Sequence, residues 1–159
     1  LDNNTAIIYR NYKNKLNINE IIKIKNYCSK KKKKFFLSNN FKIAIKLGLD
    51  GAYIPSFVES YSHLSYKIKS SFIILGSAHN IKEIRIKEKQ NVKLIFISSL
   101  FKKNKNYLGI HKFIKLRSFT KKNVVALGGI SDLNKKKLNF LKCYGFSGIS
   151  YFEQKKGPK

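Results

Sequence analysis

Short apolar runs alternate along this chain with longer stretches in which lysine and asparagine interrupt the apolar positions. The runs are Ala6–Tyr9, Phe35–Leu37, Ala52–Ile54, Phe72–Leu75, Leu94–Ile97, Val124–Leu127 and Phe146–Tyr151. All but the last, which contains Ser147, Gly148 and Ser150, are apolar at successive positions, and the runs are bounded by polar or glycine residues. Strands buried on both faces have this pattern, and such strands belong to parallel sheets.

The intervening stretches read as helices. Ile18–Cys28 carries isoleucines at helical spacing, with Asn17 as the cap. Phe41–Leu47 follows Asn39 and Asn40 and stops at Gly48. Asn80 and Glu83 form a capping box for Ile81–Lys89. Ser131 or Asp132 caps an expected helix Leu133–Cys143 that ends at Gly145, while Pro55–Lys69 and Leu108–Lys122 read as loop with a short helix.

Repeated strand–helix alternation predicts an α/β fold with right-handed crossovers. Seven strands are one short of a TIM (β/α)8 barrel. The sequence starts at Leu1 and contains no methionine, which predicts a missing first strand and helix of about 20–30 residues ahead of it. An open doubly wound sheet also accommodates seven strands, and periodicity does not separate the two. One domain spans residues 1–152, followed by a polar tail at 153–159.

Composition adds constraints. The 159 residues carry 34 lysines and arginines against 8 acids, a net charge of +26, yet 43% are hydrophobic, enough for a packed core. Only three of the bases are arginine (Arg10, Arg85, Arg117), whereas readers of nucleic acid lean on arginine for bidentate contacts. The charge therefore predicts salt-sensitive, non-specific polyanion binding and no specific nucleic-acid partner. No apolar run reaches membrane-span length and no signal peptide is visible, so a cytoplasmic place and no membrane partner are expected. Cys28 and Cys143 read as buried free thiols, and His63 and His111 as surface residues. A homo-oligomer is left open.

Ligands of parallel α/β folds bind beyond the carboxyl ends of the strands. The residues there are Arg10, Ser38 to Asn40, Pro55 and Ser56, Gly76 to His79, Ser98 and Ser99, Gly128 to Ser131, and Gly148 to Ser150. Gly128 and Gly129 followed by a helix start make a phosphate cradle, and Gly148 with Ser150 supplies amides and a hydroxyl from the next strand. His79 stands just past a strand end. Arg10, at what reads as a buried strand end, is expected to meet an anionic ligand.

In this order the residues resemble the thiamine phosphate synthase and TenI superfamily. Residues 6–10 (AIIYR) resemble its "QLREK" strand, residues 38–54 (SNNFKIAIKLGLDGAYI) resemble "NDRVDLALALGADGVHL", and residues 123–130 with 144–150 resemble "PVVAIGGI…GAxGVAVIS". Residues 74–84 track "IGVSVHSLEEA", with Ser77, His79 and Glu83 in place.

The resemblance implies a barrel that joins a pyrimidine diphosphate to a thiazole phosphate and releases pyrophosphate with Mg2+ assistance. It implies that Gly128, Gly129, Gly148 and Ser150 hold the thiazole phosphate. Arg10, Ser77 and His79 are then the expected catalytic residues, with Asn39, Lys103 and Lys105 at the diphosphate. The family's metal aspartates fall on Asn39 and on Val58, beside Glu59, so the expected metal set is reduced to Asn39 and Glu59. Mg2+ prefers carboxylate oxygens. Two alternatives follow: a TenI-type thiazole tautomerase, which needs an acid–base group and no metal, and a non-catalytic binder of a phosphorylated ligand.

Overall fold

The computed structural model describes residues 5–12 and 16–153. Its strands are β1 (Ile7–Tyr9), β2 (Phe35–Ser38), β3 (Gly51–Ile54), β4 (Ile73–Ala78), β5 (Leu94–Ile97), β6 (Asn123–Leu127) and β7 (Gly145–Ser147). Between them lie α1 (Ile18–Lys30), α2 (Phe41–Lys46), α3 (Ile81–Lys89) and α4 (Gly109–Ser118), and α5 (Ser150–Glu153) follows β7. The hydrogen-bonding order is β1-β2-β3-β4-β5-β6-β7. That order has no switch point where it reverses, as a doubly wound sheet must have, so it follows the barrel-type alternative. The expected tail lies outside the described residues beyond Glu153.

The chain divides into two compact units, Leu1–Leu75 and Gly76–Lys159, so β4 contributes to both. In the first unit β1 pairs parallel with β2, and β2 with β3. Phe35 and Leu37 of β2 pack with Ile21 and Cys28 of α1 and Ala44 of α2. Phe36 and Ser38 alternate to the other face and are buried as well. Full burial of each large side chain contributes about 1.5–3 kcal/mol. Asn17 Oδ1 accepts from Glu20 N–H at 3.2 Å, so the expected cap of α1 forms, and Asn40 Oδ1 accepts from Ile43 N–H at 3.0 Å, capping α2. Asp50 Oδ2 accepts from Phe35 N–H at 2.9 Å, tying the β3 entry to β2.

In the second unit β5 pairs parallel with β6, and β6 with β7. Asn80 Oδ1 accepts from Glu83 N–H at 2.9 Å, as the capping box predicts. Ile84 and Ile95 are fully buried, and Phe113 anchors α4. Lys87 is buried too, its Nζ donating to Gln90 Oε1 at 2.9 Å.

Several expectations are corrected. Residues 133–143 do not form an α-helix: a 3-10 helix spans Lys135–Leu141 and ends on Lys142 at φ 46°. Ser131 and Asp132 do not cap it; Asn134 Oδ1 instead accepts from Ser131 N–H at 2.9 Å. Leu133 and Phe140 are strongly exposed and only Leu141 is buried, so the segment lacks the apolar stripe that stabilises a helix. The final strand stops at Ser147, and Ser150 and Tyr151 enter α5. His63 is buried, stacked on Phe41 with ring centroids 4.7 Å apart. Cys28 is buried but Cys143 only half-buried, and burial raises both thiols above their ordinary range.

Candidate functional site

The ends of β1, β2 and β3 gather polar residues in the first unit. Arg10 is exposed, contrary to the expected buried strand end, and lies over the Tyr12 ring at 6.0 Å. The Tyr12 hydroxyl is 2.9 Å from Ser38 Oγ, and its ring meets Phe57 edge-on at 5.7 Å. Asn39 turns through φ 55°, and its N–H donates to the Tyr53 carbonyl at 2.9 Å. A cavity of about 210 Å3 opens beside it, lined by Asn39, Lys42, Ile54, Val58, His63 and Tyr66 among others. His63's place is not legible in the sequence, because its neighbours Tyr61, Ser62 and Leu64 follow no helical or strand period.

The metal set expected in this region does not fit magnesium. Asn39 offers a neutral amide, Val58 no donor, and Glu59 is an exposed carboxylate. No cluster of three His, Cys, Asp or Glu side chains occurs among the described residues. Mg2+ wants charged oxygen ligands in near-octahedral order, which these side chains do not supply.

The second unit carries the other strand ends. Ser77 is buried on β4. His79 follows β4 with its side chain 22% exposed, its Nδ1 3.3 Å from Glu83 Oε2 and its Nε2 3.5 Å from Ser98 Oγ. Ser98 and Ser99, just past β5, are buried. Lys102, Lys103 and Lys105 are exposed on the connection between β5 and α4.

The register of β6 with β7 sets Leu127 beside Ser147, so Gly128 and Gly148 follow at neighbouring strand ends. Gly128 and Gly129 take φ 105° and φ 71°. The Gly128 carbonyl accepts from Phe101 N–H at 2.8 Å and from Lys102 N–H at 3.3 Å, which seats the 99–102 segment against the turn. A Cβ on Gly128 would stand 2.5 Å from Ser99 Oγ, and one on Gly129 would overlap the Lys102 backbone nitrogen. The glycine pair thus has a packing cause of its own. On the other side, the amides of Gly129, Ile130 and Gly148 make no hydrogen bond among the described residues, while Ser131 N–H is taken by Asn134. Ser150, expected on the strand, instead begins α5 and is exposed.

Consecutive parallel strands, with polar and glycine residues at their carboxyl ends, define an α/β protein of the TIM-barrel type. Comparison with known proteins then gives the family: the thiamine monophosphate synthase family matches residues 2–152, and the chain belongs to it. A thiamine-phosphate synthase of Methanococcus vannielii is 31% identical over 120 residues, covering 73% of this chain and 56% of its own. The chain thus spans little more than half the length of that relative. Among solved structures, a thiamine phosphate pyrophosphorylase of Pyrococcus furiosus superposes with a TM-score of 0.76 at 22% identity, covering 92% of this chain and 73% of its own. One from Bacteroides thetaiotaomicron gives 0.61 at 13% identity, covering 94% and 72%. These likenesses carry the fold. Among the described residues no helix is long and apolar enough to cross a membrane.

Proposed function

We propose that this chain acts as a thiamine-phosphate synthase, joining a pyrimidine diphosphate to a thiazole phosphate with loss of pyrophosphate. Its substrates are then two phosphorylated heteroaromatic molecules. The observation that carries the reading is the pair of neighbouring turns after β6 and β7, with unengaged amides at Gly129, Ile130 and Gly148. Unengaged backbone amides on neighbouring turns suit a phosphate dianion, and the Ser150 hydroxyl is a further donor close by in the chain. In the first unit Arg10 offers a cation and Asn39 an amide to a diphosphate; in the second unit the exposed Lys103 and Lys105 offer cations and Ser77 a hydroxyl. In this reading the chain's own part is to bind both phosphates and to hold the ring nitrogen of the thiazole toward the pyrimidine carbon as pyrophosphate leaves. No step is assigned to Mg2+, because Asn39, Val58 and Glu59 do not supply the carboxylate set that it prefers. The test is to incubate the full-length protein with both substrates, with and without Mg2+, and to look for thiamine phosphate. Absence of product at high enzyme concentration overturns the reading.

A second reading, thiazole tautomerisation, is favoured by one observation: His79 stands beside Ser98 at the strand ends, while no group of three metal-ligating side chains occurs among the described residues. Proton transfer needs a positioned base and no metal. Incubation with the thiazole phosphate alone distinguishes it, because only a tautomerase isomerises that ligand without the pyrimidine.

A further inference from the structure

His79 sits between a carboxylate and a hydroxyl. Its backbone N–H donates to Glu83 Oε2 at 2.7 Å, and Asn80 Nδ2 donates to Glu83 Oε1 at 2.9 Å, so both carboxylate oxygens are engaged. The imidazole Nδ1 is buried, makes no hydrogen bond, and faces that same Oε2 at 3.3 Å. A bare nitrogen lone pair there would repel the carboxylate, whereas a proton on Nδ1 makes the approach attractive. The other ring nitrogen, Nε2, stands 3.5 Å from Ser98 Oγ, a separation that a ligand-bound site can tighten.

We infer that Glu83 is a positioning residue that holds His79 in its Nδ1–H tautomer, so that basic Nε2 faces Ser98 and the three form an acid–base relay at the ends of β4 and β5. The relay serves a ligand that presents an acidic N–H or C–H of a heteroaromatic ring. As the ligand's proton passes to Ser98 Oγ, the proton of that hydroxyl passes to Nε2. This leaves a ligand anion, a neutral serine and an imidazolium beside Glu83; the reverse sequence returns the proton. As a claim about the ligand, this rests on the phosphate-site reading above. As a claim about the tautomer, it stands alone.

The experiment labels the histidines with 15N in the full-length protein and reads long-range nitrogen–proton correlations at mildly alkaline pH. His79→Gln assigns the signal. In the wild type, His79 is expected to show a protonated Nδ1 and an unprotonated Nε2. Glu83→Gln keeps a capping oxygen but removes the charge, and should convert the signal to a mixture of tautomers; Ser98→Ala should leave Nδ1 protonated. With the thiazole phosphate alone in D2O, exchange of its acidic ring C–H, followed by NMR, should slow about 10- to 100-fold in Glu83→Gln and in Ser98→Ala. An Nε2–H tautomer in the wild type, or nitrogen shifts unchanged in Glu83→Gln, overturns the relay. So does a wild-type exchange rate in both variants. If the wild type catalyses no exchange, the claim about the ligand falls, and the nitrogen shifts alone decide the tautomer.

Discussion

Gly129 and Gly148 resemble each other in sequence yet are constrained differently. Gly129 sits at φ 71° with the Lys102 backbone against the place where a Cβ would go. Neither the positive φ nor a backbone neighbour yields cheaply, so Gly129→Ala should lower unfolding stability by about 2–3 kcal/mol, read from a urea transition. Gly148 has ordinary φ, and a Cβ there would meet only the Tyr151 Cβ, at 3.3 Å. Gly148→Ala should therefore shift stability by less than about 1 kcal/mol, and it separates ligand binding from folding where Gly129 does not. A glycine pair is legible in sequence as a turn. The 99–102 segment packed on it is not, because that neighbour lies nearly 30 positions earlier in the chain.

Elements with both a cap and an apolar stripe formed where the pattern placed them. Residues 81–89 form α3 as expected, with the Asn80 side chain accepting from the Glu83 amide and Ile84 fully buried beneath it. Asn80→Ala should cost about 1 kcal/mol in thermal or urea unfolding, with no loss of the α3 core contacts. The segment after β6 has capping residues but no stripe. Lys135, Lys136 and Lys137 follow one another, and Leu133 is 95% exposed. Polar capping without a buried face does not repay the conformational entropy of a long helix, and the chain settles for 3-10 turns. The final run misled for a related reason: Phe146, Tyr151 and Phe152 are apolar as a strand would be, but their rings pack on one another across the turn into α5.

For the molecule as a whole, the net charge is +26, and the exposed lysines are spread over several helices (Lys23, Lys42, Lys82 and Lys112) and over the β5–α4 connection (Lys102, Lys103 and Lys105), not on one element. Such a distribution is expected to attract polyanions without distinguishing their sequence. Affinity for a single-stranded oligonucleotide should fall at least about 100-fold between roughly 50 and 200 mM salt; sequence preference surviving near 0.3 M would contradict this. The sequence by itself determined the alternation of strands and helices, the caps at Asn17 and Asn80, and the motif order that marks the family. The first two are local, written in periodicity or in side chains within four residues of the backbone they serve, and the third is linear order along the chain. Only the tertiary structure decided the consecutive strand order, the burial of His63 against Phe41, the exposure of Arg10, and the meeting of His79 with Ser98 across two strands. Those depend on which distant segments share a space, and apolar spacing along one chain carries no record of that.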